Sequence, residues 1–407
     1  MQVSCIQNYK LQGLQEVWPL IRRFDGLKMD RILKREAIKA FSGPRGLQFE
    51  LPNNGNSPLL LDYTSDVLEN IATYCDIDKG DLQKEAEKYP HIAAMRINAW
   101  MRDEAPLNKN KKRPVTLANT KHLIRAYRSD HDLMELGIQD GVLRAIKSDR
   151  FKLGLDASDV LSVLMKLLLD KKDTWQDVKV EVSASDQIVH FVVENRSLTK
   201  ATKLGDLICA SLRGRTSDIG KSSLIIESRA VKLVCLNGMT TGYDMKKAHL
   251  GKKQDEDNFD MYSDTTRKLQ TATLLSEMYD VMSVCFDEMA FSKVISKIDE
   301  NQDIHATDEQ AKQVFETVTV TSGLSDNLKD ALFSAFLQER KPDNSRNTTK
   351  DGVVQAVTHF GRQLAIAESY EKAITLEDLG GKIFSLNSDQ WRELITVAPK
   401  QGAKILN

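Results

Sequence analysis

The stretch from Val178 to Glu194 constrains the fold of this chain more tightly than any other. Val178, Val180 and Val182 alternate with Lys179, Glu181 and Ser183, and an apolar run, Ile188–Val193, resumes after Ala184–Gln187. β-Branched residues at every second position, interrupted by a short polar turn, describe an antiparallel hairpin with one buried face. A two-stranded ribbon is at best marginal in water, so the hairpin demands further strands beside it. His122–Arg128, Val142–Lys147, Leu207–Leu212 and Leu224–Ile226 supply candidates.

Around these strands the apolar period lengthens to that of a helix. Leu68, Ile71, Ala72 and Cys75 share one face, and Ile92, Met95 and Trp100 form another, so the first hundred residues read as helical. Asp156–Asp170 carries a stripe of Val160, Leu161, Leu164 and Leu168, and Asp264–Ile298 reads as one long helix. Thr307-x-x-Gln310 has the form of a capping box, and helical patterns fill Asp326–Leu337, Gly352–Ala373 and Asp389–Val397. The pattern predicts an α+β fold: a helical N-terminal region, a mixed or antiparallel sheet in the middle and a helical C-terminal region. Polar, turn-forming stretches at Pro52–Pro58, Leu107–Pro114 and Gln338–Gly352 punctuate it. They divide the chain into a helical arm or subdomain over 1–65, an α+β core with a basic sheet region over 66–253, an acidic long-helix region over 254–337, and helices over 352–407 beyond a polar linker.

Composition excludes several classes. With 407 residues the chain buries a core without covalent staples, and its five cysteines are too few for a disulfide framework, which fits a reduced cytoplasm. No apolar run approaches the roughly 20 residues of a membrane span, and the start lacks a basic-then-apolar leader. The net charge is −1, but it is unevenly spread. Leu107–Leu153 carries eleven Lys/Arg against five Asp/Glu, Arg196–Lys253 twelve against four, and Gln254–Gln310 four against fourteen. A basic middle is thus followed by an acidic helical stretch, which either packs against it or leaves it exposed.

Signatures of chemistry are sparse. Gly214–Ser222 approximates a phosphate-binding loop, but five residues separate Gly214 from Gly220 instead of four, and strand-like Ser223–Glu227 follows where a helix is required. It reads as a basic, glycine-containing hairpin. Cys5, Cys75, Cys209, Cys235 and Cys285 form no C-x-x-C pair and the histidines have no metal-ligand spacing, so neither metal nor cofactor is expected. No nucleophile elbow is present, and no catalytic residue is assigned. Met278, Met282 and Met289 with Leu275 and Cys285 read as a core stripe, and Asn237-Gly238 as a helix cap or tight turn.

Several collinear segments nevertheless form a pattern. Leu82–Trp100, Leu123–Tyr127, Val142–Phe151 with its Ser148-Asp149-Arg150, Ser217–Gly220 followed by Ser223–Glu227, Lys232-Leu-Val-Cys235-Leu-Asn237-Gly238, and Asn347–His359 run in order from about Asp66 to Phe384. Together they resemble the phage- and plasmid-associated family known as domain of unknown function 932. Phe151 and Lys232 stand where that family usually has Tyr and Arg, and Gln355 where Asn is common. The resemblance implies a mobile-element setting in which proteins handle DNA or interfere with host defence. The leading expectation is a non-catalytic nucleic-acid-binding protein, of the single-strand DNA annealing or recombination kind, that self-associates. Arg125, Arg128, Arg144, Lys147, Arg213, Arg215, Lys221 and Arg229 would neutralise phosphates; Tyr127, Phe151, Phe191 and Tyr243 are the only aromatics of this region that could stack on bases, and each reads first as a core residue. Two alternatives stand beside it. One is an anti-defence or regulatory interaction module using the acidic helix. The other is an enzyme for a phosphate-bearing substrate, with Asp218 or Glu227 as acid/base or metal ligand and Arg215 and Lys221 as oxyanion clamps.

Overall fold

The computed structural model describes residues 9–53, 56–75, 77–102, 121–148, 155–233, 237–247, 264–324, 327–338, 349–366 and 370–406. Among them two six-stranded sheets carry the fold. The first contains β2 (Lys28–Lys34), β3 (Lys39–Gly43), β4 (Gly46–Asn53), β5 (Asn56–Tyr63), β6 (Lys121–Arg128) and β7 (Gly141–Ser148), in the order β2-β6-β7-β5-β4-β3. The second joins β1 (Tyr9–Gly13) to a meander of β8 (Val178–Ala184), β9 (Val189–Ala201), β10 (Leu207–Thr216), β11 (Leu224–Lys232) and β12 (Asn237–Lys247), all antiparallel. In the first sheet β5 and β7 pair in parallel and the other neighbours are antiparallel.

The hairpin expected from the valine alternation is β8–β9. Val182, Val189, Phe191 and Val193 turn one face into the core, and Ser185 closes the turn by accepting from the N–H groups of Gln187 and Ile188. Against that face lie α1 (Leu14–Leu27), α6 (Ala157–Asp170) and α7 (Asp264–Val284), with Leu161, Leu164, Met278 and Met282 fully buried. Helices α2 (Ser65–Cys75), α3 (Lys79–Lys88) and α4 (Pro90–Met101) cover the first sheet and share its separate core, and α5 (His131–Glu135) links β6 to β7. The C-terminal part is helical: α8 (Glu288–Asp303), α9 (Asp308–Ser322), α10 (Leu328–Gln338), α11 (Lys350–Ile366), α12 (Tyr370–Ser385), α13 (Ser388–Leu394) and α14 (Pro399–Leu406).

The α+β plan holds, with corrections of detail. Residues 28–63 form strands where the first hundred residues read as helical, so 1–65 is not a helical arm: β2 to β5 belong to the first sheet. Within 52–58, the described residues belong to β4 and β5 instead of a long loop. The predicted long helix breaks into α7 and α8, because Asp287 ends one run and caps the next by accepting from the Ala290 N–H at 2.7 Å. Met289 consequently lies on the surface, 76% exposed, whereas Met278 and Met282 are core. Asn237-Gly238 opens β12 instead of capping a helix. Residues 107–114 and most of 338–352 lie outside the described residues.

The capping box at Thr307 is present, with Gln310 N–H donating to Thr307 Oγ1 and Gln310 Oε1 accepting from Thr307 N–H. Replacing Thr307 with Ala removes one half of the box and is expected to cost about 1 kcal/mol, read as a lower urea midpoint with an unchanged slope.

Candidate anion-binding groove

The register of β10 sorts its side chains by chemistry. Ile208, Ala210 and Leu212 enter the core, so Ser211, Arg213 and Arg215 take the opposite face. Each meets a polar partner across the strands: Ser211 lies between Glu194 and Arg229, Arg213 beside Glu227, and Arg215 beside His190. Helices α11 and α12 cover this face.

Buried guanidiniums need carboxylates, and α12 supplies them. Arg213, 6% exposed, donates from Nε to Glu227 at 2.7 Å, from Nη1 to Glu377 at 2.6 Å and from Nη2 to Asp378. Arg229 donates to the other oxygen of Glu377 at 2.6 Å. Burial disfavours the Arg213 charge, but Glu377, Asp378 and Glu227 outweigh it and keep it protonated. Burial also lifts the Asp378 carboxyl above its usual range, against the pull of Arg213. Gly238 makes the arrangement possible, since a Cβ there would lie 2.0 Å from Nη2 of Arg229.

Beyond these pairs a groove remains between sheet and helices. Its walls combine Val192, Ile225 and Ile374 with His190, Arg215 and Arg362. Arg215 and Arg362 form no ion pair among the described residues, and both are half-buried. Burial, then Arg215 and Arg213, push the His190 imidazole down to about 4, so it is neutral at physiological pH. Among the described residues, Arg229 Nε and Ser211 Oγ are buried without a hydrogen-bond partner.

The eight cations expected to form one phosphate-binding face do not do so. Arg125 and Arg144 are 1% and 2% exposed, on central strands whose side chains point into packed interfaces. Arg125 pairs with Asp156 and Asp30, each at 2.6 Å, and Arg144 stacks on Tyr127 and donates to its hydroxyl at 2.5 Å. Arg213 and Arg229 are bound to α12, and Lys221 pairs with Glu69 at 2.7 Å and Asp66 at 3.1 Å. Arg128 is exposed, Lys147 is half-buried with its ammonium pushed down to about 8 by burial and by Lys221, and Arg215 lines the groove. Of the proposed stacking residues, Tyr127 and Phe191 are core, Tyr243 belongs to β12 and Phe151 lies outside the described residues.

The acidic stretch does pack against the basic middle where it is described. Lys200 pairs with Glu288, Lys203 with Asp303 and Lys247 with Glu277. Residues 254–263 lie outside the described residues. The enzyme constellation disperses: Glu227 and Arg215 line the groove, Lys221 is held by α2, and Asp218 belongs to a second network.

That second network joins the two sheets. The Asp218 carboxylate accepts from the Ala157 N–H at 2.8 Å, capping α6 in place of the adjacent Asp156, and lies 3.6 Å from Lys28 and 3.8 Å from Arg144. Asp156 is free for Arg125 and for Lys28 at 2.9 Å. The resemblance motif shapes this turn. Ser217 Oγ donates to the Gln187 carbonyl at 2.5 Å and accepts from the Lys221 N–H, and Gly220 adopts φ of +70°, which favours glycine. Lys232 lies 3.5 Å from Asp206, Asn237 is buried at the start of β12, and Ser148 ends β7. Asp149, Arg150 and Cys235 lie outside the described residues.

Sequence reasoning missed His190, Arg362, Glu377, Asp378, Lys28 and Asp156. The available signal was the Arg213/Arg215 spacing, which places both on one strand face; the partners of Arg213 on α12 lie 164 and 165 positions away. Comparison with protein-family models, curated proteins and solved structures finds no match. No helix among the described residues is long and apolar enough to cross a membrane.

Burial alone would raise the Asp218 carboxyl, but Lys28, Arg144 and Arg125 outweigh it and hold it below the usual carboxylate range. Its contribution to stability is therefore present above the unfolded value of about 3.9 and lost as pH falls through the lower folded value. Asp218→Asn leaves Lys28 and Arg144 without this counter-charge and is expected to cost about 3–5 kcal/mol at neutral pH in urea unfolding. Relative to the wild type, the variant's stability should fall less steeply on acidification.

Proposed function

We propose that this protein binds a small phosphate-bearing ligand in the groove between β10–β11 and α11–α12. The observation that carries the reading is the pair Arg215 and Arg362, which line one groove without carboxylate partners among the described residues, while neighbouring Arg213 and Arg229 are paired to carboxylates. Guanidinium forks match the tetrahedral oxygens of phosphate, and partial burial strengthens such charge-assisted hydrogen bonds. Val192, Ile225 and Ile374 offer an apolar wall to the organic part of the ligand. The Nε of Arg229, which lines the groove and has no hydrogen-bond partner among the described residues, adds support, because buried polar groups ordinarily find a partner. A free nucleotide and the terminal phosphate of a single DNA strand present the same chemistry.

Calorimetric titration of the full chain with inorganic phosphate, a nucleoside monophosphate and a short 5′-phosphorylated single-stranded oligonucleotide tests the reading. Arg215→Gln and Arg362→Gln should each weaken binding by about 10- to 100-fold, the worth of a charge-assisted hydrogen bond, while Lys400→Gln on α14 should not. Monophosphate binding without oligonucleotide binding selects the free nucleotide. Wild-type affinity in both arginine variants would refute the site.

A further inference from the structure

The charges around the groove do not balance. Four guanidiniums, Arg213, Arg215, Arg229 and Arg362, meet three carboxylates, Glu227, Glu377 and Asp378. Glu181 and the buried Glu194, which also line the groove, are matched by Lys179 at 2.8 Å and Arg196 at 3.3 Å. Among the described residues one positive charge is left over. A phosphate ester, doubly charged near neutral pH, turns that surplus into a deficit of one, in a site too enclosed for solvent to screen it fully.

One group is placed to correct the deficit. His190 on β9 stands directly across from Arg215 on β10 and from Ser183 on β8, and lines the same groove. Its neutral state in the empty groove comes from burial and from the positive charges of Arg215 and Arg213. An anion seated on Arg215 cancels the electrostatic part of that penalty and adds a favourable charge close to the ring. Resting on the phosphate reading, we infer that ligand and proton enter this groove together: the ligand is a tetrahedral dianion, and His190 takes up the accompanying proton from solvent. The selectivity that follows is for the doubly charged form. A monoanion already neutralises the surplus and has no need of the proton. Of the other groups around His190, the guanidiniums stay charged throughout, and Asp378 is the carboxylate whose proton affinity burial has raised.

Sulfate separates the ligand's own titration from that of the protein, because it remains a dianion across the working pH range. Isothermal titration of the full chain with sodium sulfate is run in two buffers of different ionisation enthalpy, with sodium formate as the monoanion. The heat of sulfate binding should depend on the buffer, showing proton uptake that approaches one per sulfate. Affinity should tighten by up to about tenfold per pH unit as the pH is lowered from neutrality. His190→Gln and His190→Asn should retain sulfate binding but lose both the buffer dependence and most of the slope. Buffer-independent sulfate binding with one affinity across the range would overturn the coupling and leave the groove reading standing. Absence of binding by both sulfate and phosphate would overturn the two together.

Discussion

Buried arginine is the constraint on which this structure depends. A guanidinium cannot shed its proton, so one buried fully beneath a covering element calls for carboxylates, and meeting that need decides which elements come together. Arg125 on β6 draws in Asp30 from β2 and Asp156 from the start of α6, and donates to the backbone carbonyl of Asp218. With Lys28 and Arg144 beside it, the turn between β10 and β11 is fastened to the first sheet. Arg213 and Arg229 do the same for α12 on the second sheet. Breaking either cluster from one side would leave charge stranded in low dielectric, which is why they act as positioning devices more than as sources of net stability.

The groove follows from the second cluster. Glu377 and Asp378 hold α12 over β10 and β11, while α11 brings Arg362 to the rim. The acidic side chains are consumed by Arg213 and Arg229, so Arg215 and Arg362 keep their charge without internal partners among the described residues. An enclosed space with spare positive charge, apolar walls and a neutral imidazole is suited to an anion with an organic body. The basic character of the middle region is thus mostly internal. Lys200, Lys203 and Lys247 reach to acidic residues of α7 and α8, and the strongest pairs go to α12.

Much of the scaffold was legible because its signals are local. The valine alternation of β8–β9, the stripe of α6 and the Thr307 box each lie within one element and were read correctly from spacing alone. Where the local signal is weak, spacing misleads: β2 to β5 lie in a region whose apolar period reads as helical, although Leu47, Phe49 and Leu51 in β4 do alternate. The break at Asp287 interrupts an otherwise continuous helical period and is marked by one capping residue. The site was far less legible. Arginines were visible, but whether an arginine faces solvent or a carboxylate depends on which distant segment covers it. Arg213 and Arg215, two residues apart and on one face, have opposite fates for that reason alone.

The central claim is that the arginines left over from internal pairing form an oxyanion site, and its most direct test is a crystal structure of the full chain grown with inorganic phosphate. The account predicts a tetrahedral anion within hydrogen-bonding distance of the guanidiniums of Arg215 and Arg362, with the Arg213 and Arg229 pairs to α12 unchanged. An empty groove at saturating phosphate, or Arg215 and Arg362 each closed onto a carboxylate of the protein itself, would contradict it.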